Sequence, residues 1–137
     1  METDRKEVIM KETELMIGDW VYLVKDYGPI KKEVLKLDGL DLYRVFDGVL
    51  GVEPIPLTAE ILKKNGFKHY ITKEDSDSFD YTEGDLGYVF NKTEYGYMSC
   101  IDMTGSFTIT GLIRYVHELQ HILRLCGLSE RADNFKI

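Results

Sequence analysis

"GLIRYVHELQHILRLCG", residues 111–127, decides how this chain is to be folded on paper. Leu112, Val116, Leu119, Leu123 and Cys126 recur at steps of four and three, the buried stripe of an amphipathic helix. Thr110 can cap its start, and Gly127 can take the left-handed conformation that ends a helix. The spacing therefore predicts a helix from about 111 to 126. A helix of about 16 residues is marginal alone in water. It needs a sheet to cover.

Upstream segments supply that sheet. "GYVFNK" (87–92) and "YGYMSCIDM" (95–103) are rich in β-branched and aromatic residues, with a hairpin connection at Thr93 and Glu94. The acidic "EDSDSFDYTEGD" (74–85) reads as a solvated loop. Asp75 and Asp77 fit the first and third positions of a calcium loop. Phe79 and Asp80 then stand where an oxygen ligand and a glycine are required, and Leu86 replaces the bidentate Glu. The calcium reading fails.

Earlier still, "PIPLTAEILKKNGF" (54–67) predicts a short helix over 58–65: Thr58 caps it, Ile61 and Leu62 turn inward, and Asn65-Gly66 stops it. Phe67 to Thr72 follows as a strand. In "EVLKLDGLDLYRVFDGVLGV" (33–52), Asp38-Gly39 is the strongest hairpin signal in the chain, and Asp47-Gly48 makes a second turn. "LMIGDWVYLV" (15–24) reads as the first strand, with Gly18 at a bend and Trp20 in the core. The expected fold is α+β. A twisted antiparallel sheet, with an SH3-like N-terminal part as one form it can take, is packed by the C-terminal helix and one shorter helix. Residues 1–13 form a charged leader, and 14–137 a single domain.

Bulk composition narrows the function. The net charge of −7 over 137 residues disfavours nonspecific nucleic-acid binding and adsorption to anionic lipid, which both need clustered Lys and Arg. Cys100 and Cys126 give no disulfide framework and are expected as free thiols. The charged start of the chain is not a secretory signal. A cytoplasmic location is expected, with no membrane and no nucleic acid among the partners.

One stretch carries a chemical signature. His117-Glu118-Leu119-Gln120-His121 fits His-Glu-x-x-His, in which two imidazoles one turn apart ligate Zn²⁺ and the Glu is general base. On that reading His117 and His121 are metal ligands and Glu118 is catalytic. A third ligand is needed, and no downstream residue stands at a recognised spacing: Arg124 and Gly127 occupy the positions of the metzincin Gly and His. On a helix begun at 111, both His lie opposite the apolar stripe, between Arg114 and Arg124, on what reads as a solvated face.

The chain resembles a family of short bacterial proteins built on a domain of unknown function, frequent in gut-bacterial genomes and mobile elements. The resemblance rests on "IGDWVYL" (17–23), "PIPLTAEILKKNGF" (54–67) and "GLIRYVHELQHILRLCG" (111–127). In that family the last helix reads Tyr-Val-His-x-Leu-Gln, often with Gln in place of Glu118 and Asn in place of His121. The resemblance thus implies structure or binding rather than zinc chemistry.

Nine tyrosines offer a different kind of site. Tyr88, Tyr95 and Tyr97 are the candidates for a surface binding patch, since tyrosine combines apolar area with a polar edge. His69 reads as a surface residue. The expectation is a non-enzymatic interaction module for an unknown protein or small ligand, with no cofactor. The alternative is a minimal zinc metallohydrolase of metallopeptidase type.

Overall fold

A computed structural model describes residues 15–24, 33–83, 86–103 and 106–137. The fold is α+β, with an antiparallel sheet of three strands and another of five. Each sheet is open-ended in strand order, so the SH3-like closure is not taken. The chain divides into two compact units, Met1–Ile55 with Tyr115–Asn134, and Pro56–Arg114 with Phe135–Ile137.

In the first unit, β1 (Trp20–Leu23) lies between β2 (Glu33–Lys36) and β3 (Val52–Pro54), antiparallel to both. Val21 faces Leu35 on one side and Pro54 on the other. Leu15, Val21, Leu37, Val45 and Val52 form the core, with Leu35, Leu42 and Leu50 packed against it. Gly18 sits at φ +93°, where a Cβ would lie 2.8 Å from the Arg124 guanidinium. The bend expected there is real, and only glycine fits it.

The hairpin expected at Asp38-Gly39 does not form. These residues instead begin α1 (Gly39–Phe46). Asp38 has extended backbone and accepts from the Asp41 amide at 2.7 Å, while the Asp41 carboxylate accepts from the Asp38 amide at 3.2 Å. This reciprocal capping box satisfies two orphan donors at once. Leu42 and Val45, three apart, then turn to the core. Asp-x-x-Asp before that pair outweighs the two-residue turn, which would have needed positive φ at both centres. Gly48, at φ +78°, makes the second expected turn.

The closing helix is shorter than its stripe suggested. α3 runs over Val116–Leu125, followed by α4 (Ser129–Asp133). Thr110, Gly111 and Leu112 belong to strand β8 (Ser106–Ile113) and not to the helix. Ser99 faces Gly111 and Cys100 faces Ile109, which leaves Thr110 as the extra residue of a bulge. Gly111 takes φ +129° beside it. Val116, Leu119 and Leu123 are buried as expected, Leu112 is exposed, and Gly127 ends the helix at φ +82°.

In the second unit, α2 (Ala59–Lys64) starts where Thr58 Oγ1 accepts from the Ile61 amide and stops at Asn65, as its sequence requires. The Asn65 side chain also donates to the Lys136 carbonyl and accepts from the Lys136 amide, both at 2.8 Å. β4 (Lys68–Ile71), β5 (Asp77–Glu83), β6 (Leu86–Thr93), β7 (Gly96–Met103) and β8 follow as an antiparallel meander. The acidic stretch is therefore strand for most of its length, and the turn is confined to Thr72–Ser76, with Asp75 at φ +61°. Phe79 and Tyr81 override the charge: their alternation puts both on the buried face, opposite Phe90 and Tyr88. Phe67 closes this face, 5.5 Å from the Tyr81 ring and 5.2 Å from Phe90.

Candidate functional site

α3 positions the three residues with chemical potential. Glu118 occupies the third position of the helix, and its Oε1 accepts from the Tyr115 amide at 3.0 Å. That bond satisfies one of the donors a helix start leaves open. His117 is only 5% exposed, with its ring edge-on to His121 at 5.5 Å and stacked with Tyr115 at 6.0 Å.

His121 and Arg124, one turn apart, both reach Asp19 just before β1. His121 Nε2 lies 2.6 Å from one carboxylate oxygen, and Arg124 Nη1 donates to the other at 2.6 Å. The Met16 amide donates to Asp19 as well, at 2.8 Å. Asp19 is fully buried. A carboxylate there is tolerable only because a guanidinium, an imidazole and an amide replace its water. Between the two His, Gln120 is also fully buried. It accepts from the Trp20 amide and donates to the Gly18 and Ala132 carbonyls, all at 2.9 Å.

The polar side of α3 is therefore not the solvated face expected of it. Residues 18–20 bring Asp19, the Gly18 carbonyl and the Trp20 amide within reach, and α4 brings the Ala132 carbonyl. One signal was available: Gln120 sits between the two His, and a glutamine can satisfy two carbonyls and an amide at once.

A catalytic zinc would need three converging ligands and a free general base. An Asp-bound imidazole can still ligate through its other nitrogen. Yet among the described residues no three His, Cys, Asp or Glu side chains are placed to share an ion. Glu118 is turned to the Tyr115 amide.

The tyrosine patch divides. Tyr88 and Tyr97 are buried on the aromatic face of the second sheet, because both lie on its inward alternation. Burial, then the charge of Asp77, pushes the Tyr97 phenol above its ordinary range. Only Tyr95 is at the surface, 70% exposed on the β6–β7 turn. That turn is fixed: Thr93 Oγ1 donates to the Gly96 carbonyl and accepts from the Tyr95 amide. Gly96, at φ +145°, lets the turn approach, since a Cβ would meet the Ile113 carbonyl at 2.8 Å. Beside it Thr58, Lys92, Tyr95, Tyr97 and Arg114 line a cleft of about 370 Å³.

His69 is at the surface. It stacks on Phe79 at 4.7 Å and pairs with Asp77 at 2.7 Å. Cys100 and Cys126 are free thiols, and burial pushes the Cys100 thiol up. No helix among the described residues is long and apolar enough to cross a membrane.

One surface was missed by reading 38–39 as a hairpin. With α1 a helix, Leu40, Tyr43, Phe46 and, just past its end, Val49 stand outward, 57–73% exposed. Compared with family models, curated proteins and solved structures, the chain matches none.

Proposed function

We propose that this protein is a non-enzymatic interaction module whose docking element is α1. The carrying observation is the outward apolar stripe of Leu40, Tyr43 and Phe46, continued by Val49. These side chains add nothing to the core, and contiguous apolar surface on a folded domain marks sites of association. Burying one such side chain against a partner is worth about 1.5–3 kcal/mol. The test is capture of an anilinonaphthalene dye by the full chain and by the Leu40→Ser/Phe46→Ser variant. Wild type is expected to enhance dye fluorescence and the variant to lose most of that signal at an unchanged melting temperature. Equal signals from both would remove α1 as the docking element.

The alternative is a zinc metallohydrolase with His117 and His121 as ligands and Glu118 as base. What supports the first reading over it is that Glu118 caps its own helix and His121 is held by Asp19. Metal content separates the two. The interaction module melts at the same temperature with chelator or with added zinc. One equivalent of zinc in tag-free protein, with a melt lowered by chelator, would favour the hydrolase. Under the capping role Glu118→Ala costs about 0.5–1 kcal/mol, as loss of a helix-start bond does.

A further inference from the structure

β4 stands at one end of the strand order of the second sheet. Thr72, which continues the register of β4 on β5, donates its amide to the Ser76 carbonyl at 2.8 Å. Along an antiparallel strand the backbone groups of successive residues turn to alternate sides. Lys68 and Tyr70 therefore turn theirs to β5, as Thr72 does, and His69 and Ile71 turn theirs outward. Among the described residues nothing bonds those outward groups. Tyr70 and Ile71 are also 44% and 65% exposed. Such edges are commonly blunted by bulges, prolines or charges. β8, at the other end of the sheet, has its bulge at Thr110 and Gly111 at φ +129°. β4 has neither bulge nor proline, and Lys68 is its one fixed charge.

The strand is complementary to itself. Across a two-fold axis at Tyr70, His69 of each copy meets Ile71 of the other, and each such pair can exchange both backbone bonds. Tyr70 meets Tyr70 in the non-hydrogen-bonded pair between them, where side chains stand closest. A register that sets His69 against itself would oppose Ile71 to Phe67, whose amide is already given to the Leu62 carbonyl. Charge agrees with the antiparallel direction. Each β4 begins beside Lys63, Lys64 and Lys68 and ends at a turn where Glu74 and Asp75 outnumber Lys73. Antiparallel pairing brings the acidic end of one copy to the basic end of the other, twice over. Parallel pairing would set lysines against lysines.

We propose that two copies of this chain pair antiparallel through β4, joining their five-stranded sheets edge to edge. The proposal is independent of α1. Backbone bonds set the geometry, and the Tyr70 pair with Ile71 against His69 supplies the side-chain contact. The contact is one short strand long, at the low end of interface sizes, so the dimer is weak and reversible.

Sedimentation velocity of the full chain, from micromolar to millimolar concentration, tests this. Wild type is expected to pass from monomer to dimer. Ile71→Pro removes one outward amide from each copy and keeps the backbone extended, a change that an edge strand tolerates. It is expected to hold its melting temperature and to dimerise roughly tenfold or more weakly. Leu40→Ser/Phe46→Ser is expected to dimerise as wild type does. Oxidation in a Cys126→Ser background reads the register. Tyr70→Cys is expected to give a disulfide-linked dimer, since Cα atoms in a non-hydrogen-bonded pair are close enough to bridge, and Lys68→Cys is not. A chain that stays monomeric throughout would overturn the pairing, as would a dimer that Ile71→Pro leaves intact. A dimer lost in Leu40→Ser/Phe46→Ser would move the interface to α1 and overturn it as well. Crosslinking through Lys68→Cys and not through Tyr70→Cys would overturn the pairing about Tyr70.

Discussion

α1 and α3 belong to the same compact unit and are both amphipathic, yet they handle their two faces in opposite ways. α3 buries polar side chains along with apolar ones: Gln120 has no exposed surface, and His121 and Arg124 share the buried Asp19. α1 puts Val45 into the core and leaves Leu40, Tyr43 and Phe46 in water. Burying a polar group is tolerated when its donors and acceptors find partners. Gln120 finds them in Gly18, Trp20 and Ala132, and His121 and Arg124 find Asp19, so these side chains hold the unit together. Exposing large apolar groups has no such internal remedy. On the proposed reading the remedy is a partner, docked on the helix with no unusual chemistry.

The largest effect that could break this contrast comes from Asp19. In Asp19→Ala, Arg124 and His121 lose the carboxylate they share, and the variant is expected to lose about 3–5 kcal/mol, as when one member of a buried ion pair is removed. Urea unfolding checks it. A loss below about 1 kcal/mol, the range of an exposed pair, would return the α3 polar face to solvent and erase the contrast.

A smaller effect sharpens the other side. Asp38 has its folded pKa below the ordinary 3.8. Its contribution is therefore present above the unfolded value and is lost as pH falls through the folded one. Acid titration of stability in wild type should show this step at the acidic end, and Asp38→Asn should flatten it. A step that survives in Asp38→Asn would mean that the α1 start is not held by this cap.

Much of the fold was legible because local chemistry and tertiary demand agreed. Thr58 and Asn65-Gly66 bound a helix in isolation and do so in the structure. Gly127 ends α3 for the same conformational reason that made it readable. Reading failed where one local signal competed with another. Asp38-Gly39 serves a hairpin or a capping box, and the apolar spacing beyond it decided for the helix. Leu112 fits a helical stripe and a strand equally well, and pairing with β7 decided for the strand. The acidity of 74–85 hid the alternation of Phe79 and Tyr81.

The candidate site was legible in residue type and not in role. His117, Glu118 and His121 were visible as a motif, but Asp19, about a hundred residues earlier, was not visible as the partner of His121. No local spacing encodes a partner at that separation. Tyr95 was read correctly as surface, whereas Tyr88 and Tyr97 share the buried alternation that the strand pattern itself contained.

The central claim is that the polar face of α3 carries stability while the apolar face of α1 carries none. Paired urea titrations of Gln120→Leu and Phe46→Ser test it most directly. Gln120→Leu orphans two carbonyls and an amide and should cost about 2–3 kcal/mol, while Phe46→Ser should stay within about 0.5 kcal/mol of wild type. A neutral Gln120→Leu, or a Phe46→Ser as damaging as a core substitution, would contradict it.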